Sequence, residues 1–183
     1  MAKAFLESRE VGFIAALSLF QRIQFFACFA LAGILLPAVT MATKNGSSNL
    51  KPILPIIGLF GVVLAVVATG TIVFPETLIQ FMVGYAFMPV VDVLWMAASA
   101  AIFFTGSYFI AMVLRGMNDG HGVKFVMLTA AFQIVIVLAI LIIANPMITS
   151  ILWAKLAIQA ILFAYLSFYV ARRISAQSQK GNA

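Results

Sequence analysis

The sequence predicts an all-α integral membrane protein with five transmembrane helices and one short interfacial helix. Three observations carry this. The 183 residues are 64% hydrophobic and only 9% charged, whereas soluble domains carry about 25% charged residues. Five apolar runs each approach or exceed the ~20 residues that a helix needs to cross a bilayer. The polar residues fall mostly in the breaks between these runs. In hydrocarbon each backbone N–H and C=O must be bonded within the protein, so long apolar runs read as helices and not as isolated strands.

The elements follow in order. Residues 1–10 hold Lys3, Glu7, Arg9 and Glu10, and the apolar run after them is too long for the core of a signal peptide. The first span is expected at 12–37. The polar break "TMATKNGSSNLK" precedes a second span at 53–74. Residues 76–88 include Glu76, Leu78, Ile79, Phe81, Met82 and Tyr85. That segment is too short to cross and reads as a helix lying flat at the interface. A third span at 90–114 ends in the turn-forming "RGMNDGHGVK". Spans at 124–144 and 147–171 are separated only by Asn145 and Pro146. Proline disfavours one continuous helix there, so the two form a tight hairpin. Residues 172–183 read as a polar tail, and the whole chain as a single transmembrane bundle.

Positive charge gives the orientation. With alternating spans, one side holds Lys44, Lys51, Arg115, Lys124, Arg172, Arg173 and Lys180, and the other only Lys3 and Arg9. The side rich in Lys and Arg is expected to be cytoplasmic, which puts the N-terminus outside and the C-terminus inside. Trp95 and Trp153 then fall near outer ends, and Tyr165 and Tyr169 near an inner end, as interfacial anchors do. An external N-terminus ahead of five spans suggests a preceding helix supplied elsewhere.

Small residues at helical spacing, Gly58, Gly61, Ala65 and Ala68 on the second span and Ala97, Ala101 and Thr105 on the third, predict close helix contacts. Cys28 is the single cysteine, so no internal disulfide forms, and it reads as a small packing residue.

The stretch "SLFQRIQFF" places polar groups inside the first span. Ser18, Gln21 and Arg22 stand at i, i+3 and i+4 and share a helix face, which Phe25 and Phe29 continue. Arg22 lies about 15 Å into its span. Lys155 and Gln159 form a second i, i+4 pair, with Lys155 about 12 Å in from the same side. An arginine at the centre of a bilayer costs roughly 2.5–3.5 kcal/mol on insertion scales. Three readings stand beside one another. The cations snorkel outward to head groups; they bond to a carbonyl or to Asp92 at the outer end of the third span; or they line a watery cavity that attracts an anion. The glutamines favour the cavity, because they reach less far and also need partners. Arg22, Gln21, Lys155 and Gln159 are therefore the candidate cavity residues, and Gln133 lies at similar remove in the inner half. His121 sits in a polar loop and reads as solvated. No arrangement of nucleophile, acid and base, no paired cysteines and no glycine-rich phosphate loop appears. The expectation is therefore a non-enzyme with no metal, cofactor or nucleic-acid partner.

Three stretches carry a family likeness. "VGFIAALSLFQRIQFFACFALAGILLPAVTMAT" has Gly12 and Ala16 where a span opens and Pro37 near its end, before a short polar turn. "LIQFMVGYAFMPVVDVLWMAASAAIFFTG" is a short helix ending in Gly84 and Tyr85, then a span opening on apolar and small residues. "VLRGMNDGHGVKF" is a basic, glycine-containing inner loop. In these features the chain resembles polysaccharide flippases of the multidrug, oligosaccharidyl-lipid and polysaccharide exporter superfamily. The likeness extends over almost the whole chain. It implies the second lobe of a two-lobed transporter, from the end of the seventh helix onward. It also implies alternating access for lipid-linked oligosaccharides or polysaccharide precursors in the inner (cytoplasmic) membrane, without nucleotide hydrolysis. Two departures stand out. Family members carry an acidic residue just after the position of Gly84, absent here, and they have twelve to fourteen spans. The implied partners are membrane lipid, a lipid-linked sugar, and a missing N-terminal lobe or a second copy of the chain. Two other readings remain: the same half of a cation-coupled drug exporter, or a truncated, non-transporting membrane protein.

The charge bias makes a direct prediction. A reporter fused after Ala183 will be active only in its cytoplasmic form, and a cysteine at Gly46 will resist reagents applied from outside. A C-terminus on the outer face would refute the five-span arrangement.

Overall fold

The computed structural model describes residues 8–44, 54–143 and 148–181. Among these no strand occurs, and five helices are long and apolar enough to cross a membrane. They are α1 (Ser8–Lys44), α2 (Leu54–Val73), α4 (Val91–Gly116), α5 (His121–Ile143) and α6 (Ile148–Gly181), with the short α3 (Pro75–Met82) after α2. Residues 45–53 and the Asn145–Pro146 turn lie outside the described residues.

Two helices outrun the spans read from hydropathy. α1 continues through Pro37 to Lys44, and α6 continues past residue 171 to Gly181. The physical reason is the same in both. Apolarity ends where lipid ends, whereas a helix ends only where its hydrogen bonding is interrupted. Pro37 removes one donor, the partner of the Gly33 carbonyl, without stopping the helix.

The flat segment expected over 76–88 is two pieces. Pro75 stands in the first turn of α3, where its missing N–H costs nothing. Gly84 then adopts φ 99°, a left-handed conformation that favours glycine, and the chain turns into a 3-10 helix over Tyr85–Val90 that leads into α4. One side of this segment is docked: Ile79 is fully buried beside Leu17, Val90 and Leu94. The other side presents Phe74, Phe81 and Tyr85 outward, the amphipathic division of an interfacial segment.

α4 is the centre of the bundle and packs against α1, α2, α5 and α6. Its buried residues are mostly small: Ala97, Ala98, Ala100, Ala101, Thr105, Gly106, Ser107 and Ala111. Lipid tails are as apolar as leucine, so close packing and not water exclusion holds such helices together. At two glycines the fit leaves no room for a methyl group. A Cβ on Gly116 would lie 2.6 Å from Val39 Cβ, and one on Gly106 would lie 2.6 Å from the Phe163 ring. The hydroxyls on this face are satisfied within their own helix: Thr105 donates to the Ala101 carbonyl at 2.7 Å and Ser107 to that of Phe103 at 2.8 Å. α1 meets α4 along Leu17, Gln24, Cys28, Ala32, Leu35 and Val39, all buried. α2 is attached differently from the expectation. Gly58, Gly61 and Ala65 are exposed, with nothing within 4 Å of a Cβ on either glycine. α2 is held instead by Phe60, which stacks on Phe109 of α4 with centroids 4.0 Å apart.

The turn between α4 and α5 is organised by Asp119. Asn118 takes φ 60°, which an asparagine tolerates. Asp119 caps α5: its Oδ1 accepts the His121 backbone N–H at 3.0 Å and lies 2.8 Å from His121 Nδ1. Its Oδ2 accepts the Tyr169 hydroxyl of α6 at 2.9 Å and sits 3.6 Å from Arg173 Nε. Burial alone would raise this carboxyl. The His121 backbone and side chain and the Tyr169 hydroxyl together outweigh burial and hold it below its ordinary value of 3.8.

Two expectations follow. Gly116→Ala, which meets the branched Val39 at its root, will destabilise the detergent-solubilised protein by about 1–3 kcal/mol. Gly61→Ala, which meets open space, will stay within about 1 kcal/mol of the parent with a favourable sign; equal losses in thermal melts would refute the packing account. Because Asp119 is more acidic folded than unfolded, its stabilisation is present above pH 3.8 and is lost as the pH falls below that value. The melting advantage of the parent over Asp119→Asn will accordingly hold at neutral pH and shrink below pH 4.

Candidate functional site

The candidate site is a groove of about 830 Å³ between α1, α4, α5 and α6. That is large enough for a drug-sized ligand. All four cavity candidates line it: Gln21 and Arg22 from α1, Lys155 and Gln159 from α6. Ser18 and Gln133 join them, with Phe25, Phe26 and Phe104 among the apolar lining. The helical spacing explains the convergence. Ser18, Gln21, Arg22 and Phe25 share a face of α1, and Lys155 and Gln159 share a face of α6.

The two cations are treated differently. Lys155 donates its Nζ to the side-chain oxygen of Gln21, and Gln21 Nε2 donates in turn to the Ala97 carbonyl of α4 at 2.9 Å. Gln21 therefore ties α6 to α4 through α1, and it orients the ammonium inside the bundle. Lys155 thus bonds within the protein. An ammonium has three donors, so two remain for a ligand. Arg22 is exposed to the groove and has neither a hydrogen bond nor an ion pair among the described residues. No carboxylate lines the groove, and Asp92 is exposed at the start of α4 without a side-chain partner among the described residues.

A second polar level lies deeper. Gln159 Nε2 donates to Gln133 Oε1 at 2.7 Å, joining α5 to α6. The sequence held a signal for this pair. Gln133 and Gln159 are each thirteen residues from Pro146 (146 − 133 and 159 − 146), and an antiparallel hairpin with equal rise brings such residues to the same depth. Among the described residues Gln159 Oε1 is buried without a partner, as is Gln24 Nε2 on the face of α1 turned to α4. Gln24 lies off the Ser18–Arg22 face, and spacing alone carried no mark of its burial.

The aromatic side of the groove is continuous with a cluster below it. Phe25 lies 5.5 Å from Phe104 and 5.3 Å from Tyr108, centroid to centroid, and Phe29 stacks on Tyr108 at 5.8 Å. At the opposite end of the bundle from the Asp119 turn, the rings of Trp95 and Trp153 meet edge to face at 5.9 Å. Tyr165 and Tyr169 stack near the Asp119 end at 6.4 Å. His121 is largely exposed, as a loop histidine is expected to be, yet its ring is engaged by Asp119.

The arrangement can bind an anion: among the described residues two cations, one free and one held in place, border one groove with no acidic side chain in its lining. It can also hold neutral polar groups through the amides and flat apolar ones against the phenylalanines. Compared with known protein-family models, with curated proteins and with solved structures, the chain matches none.

Proposed function

We propose that this chain is the second lobe of a flippase that carries lipid-linked oligosaccharide or polysaccharide precursors across the cytoplasmic membrane. The observation that supports the reading is the groove that Arg22 and Lys155 both line. Two like charges bordering one groove repel each other, the more strongly the lower the local dielectric. Such a pair persists where an anion or water compensates it. A pyrophosphate linking a sugar to a lipid is an anion of the required kind, its sugar suits the amides, and its lipid chain suits the apolar rim. Among the described residues no carboxylate lines the groove, whereas a cation-coupled drug exporter uses buried acids to carry its coupling ion.

The groove has an open side bordered by α1 and α5, and Arg22 is exposed there. An exposed guanidinium does not face hydrocarbon at low cost. A second lobe, from a preceding segment, a partner chain or a second copy, closes that side and provides the counterpart for alternating access. In the proposed orientation the Asp119 turn and the C-terminus face the cytoplasm.

Translocation of a short-chain lipid pyrophosphate sugar in proteoliposomes containing the two-lobed protein tests this. Arg22→Ala will lower the rate about tenfold, the loss expected for one charge-assisted hydrogen bond, with membrane insertion and protein level unchanged. Arg22→Lys will retain part of the activity, because a point charge remains while the planar fork is lost. Normal transport by Arg22→Ala would sink the proposal.

A further inference from the structure

α5 is a wall of the groove with little core of its own. None of residues 123–140 is buried, and its helix neighbours are α4 and α6. Its fastenings to α6 sit at three levels. The Gln133–Gln159 pair holds the middle at 2.7 Å. Lower down, the Phe125 ring lies 4.5 Å from that of Tyr165. At the loop end Asp119 reaches across to Tyr169 and Arg173, some 50 residues on in sequence.

The Asp119 link has the chemistry of a releasable one. Its side chain is 4% exposed, while Arg173, its charged partner on α6, is 50% exposed. The outer donors of that guanidinium already face water, so water can replace the carboxylate there at small cost once the link parts. The link to α4 is of the opposite kind. A Cβ on Gly122 would lie 2.9 Å from Leu114 Cδ1 and 3.0 Å from Ala111 Cα, so the first turn of α5 is wedged on α4 by close packing. α5 is thus wedged on α4 at Gly122, with the Asp119 backbone N–H bonded to the Leu114 carbonyl at 2.9 Å, and is held to α6 by the polar contacts, one ring pair and the packing of Phe125 and Val126 against Leu162 and Leu166.

We propose that Asp119 is a latch on the groove. While its carboxylate holds Tyr169 and Arg173, α5 stays against α6 and the seam below the groove is shut. When the carboxylate lets go, α5 pivots at Gly122 on α4, the seam with α6 parts, and the groove opens from the loop end. From the proposed function this takes only that the groove admits a ligand; the latch is tested without transport.

Ala130 of α5 lines the groove, about 14 Å along the helix from His121. In a Cys28→Ser, Ala130→Cys background, sealed vesicles of both orientations are treated with a charged methanethiosulfonate reagent. Asp119→Asn will raise the labelling rate from the loop side about tenfold, the worth of one charge-assisted hydrogen bond. Tyr169→Phe, which keeps the ring and loses one donor, will give a smaller rise on the same side. Labelling from the opposite side will not change. Unchanged rates in both variants overturn the latch, and so does a rise that is equal from both sides and follows a lowered melting temperature. Should Asp119→Asn fail to accumulate, Tyr169→Phe decides alone. A latch that passes while Arg22→Ala transports normally refutes the flippase and leaves the latch standing.

Discussion

The whole arrangement depends on how closely α4 lets its neighbours approach. Water exclusion drives soluble helices together, but it has no counterpart between helices already in hydrocarbon. What remains is contact, and contact needs small side chains. α4 supplies them on more than one side: Val39 of α1 rests on Gly116 and Phe163 of α6 on Gly106. Once α1 and α6 lie this close to α4, their polar faces converge on one space. Gln21 reaches the Ala97 carbonyl only because of that approach, and Lys155 reaches Gln21 only because α6 is held on the other side. The groove is a by-product of packing that happens at its edges.

Much of this was legible in the sequence, for a physical reason. Lipid imposes one requirement on every residue of a span, so hydropathy reports the helices without knowledge of their neighbours. That Ser18, Gln21 and Arg22 share one face and Lys155 and Gln159 another was legible as well, since each set is fixed by spacing within one helix. The limits were of two kinds. Helix ends were read from apolarity, and α1 and α6 run on beyond it into polar sequence. Partners between helices were read from residue size. The stripe of Gly58, Gly61 and Ala65 promised a contact that this chain does not make, because a small residue permits close approach without saying to whom. Asp119 was missed because its significance lies in Tyr169 and Arg173, and no local pattern links residues so far apart.

The described residues also divide into a firm part and a looser one. α1, α4 and α6 share the buried positions, from Leu35 and Leu94 to Leu166, all at 0% exposure. α2 and α5 contribute little to that core. α2 is fastened by the stacked Phe60–Phe109 pair with Ile56, Val63 and Leu64 beside it, and α5 by amides, one carboxylate, ring contacts and the packing of Phe125 and Val126. Motion without unfolding is cheapest where few buried apolar contacts must break. The peripheral helices meet that condition, and of the two only α5 lines the groove.

Gln21 has a consequence for how such a groove changes over evolutionary time. It is the neutral member between a lysine and a carbonyl, and a glutamine codon is one base away from a glutamate or a lysine codon. Glutamate at that site would pair with Lys155 and leave Arg22 as the sole uncompensated charge; lysine would add a third cation. A single-nucleotide step therefore resets the electrostatic preference of the lining and gives up one of the two bonds that Gln21 makes. Lineages carrying this architecture have a short mutational path between ligands of different charge, and position 21 is where that path begins.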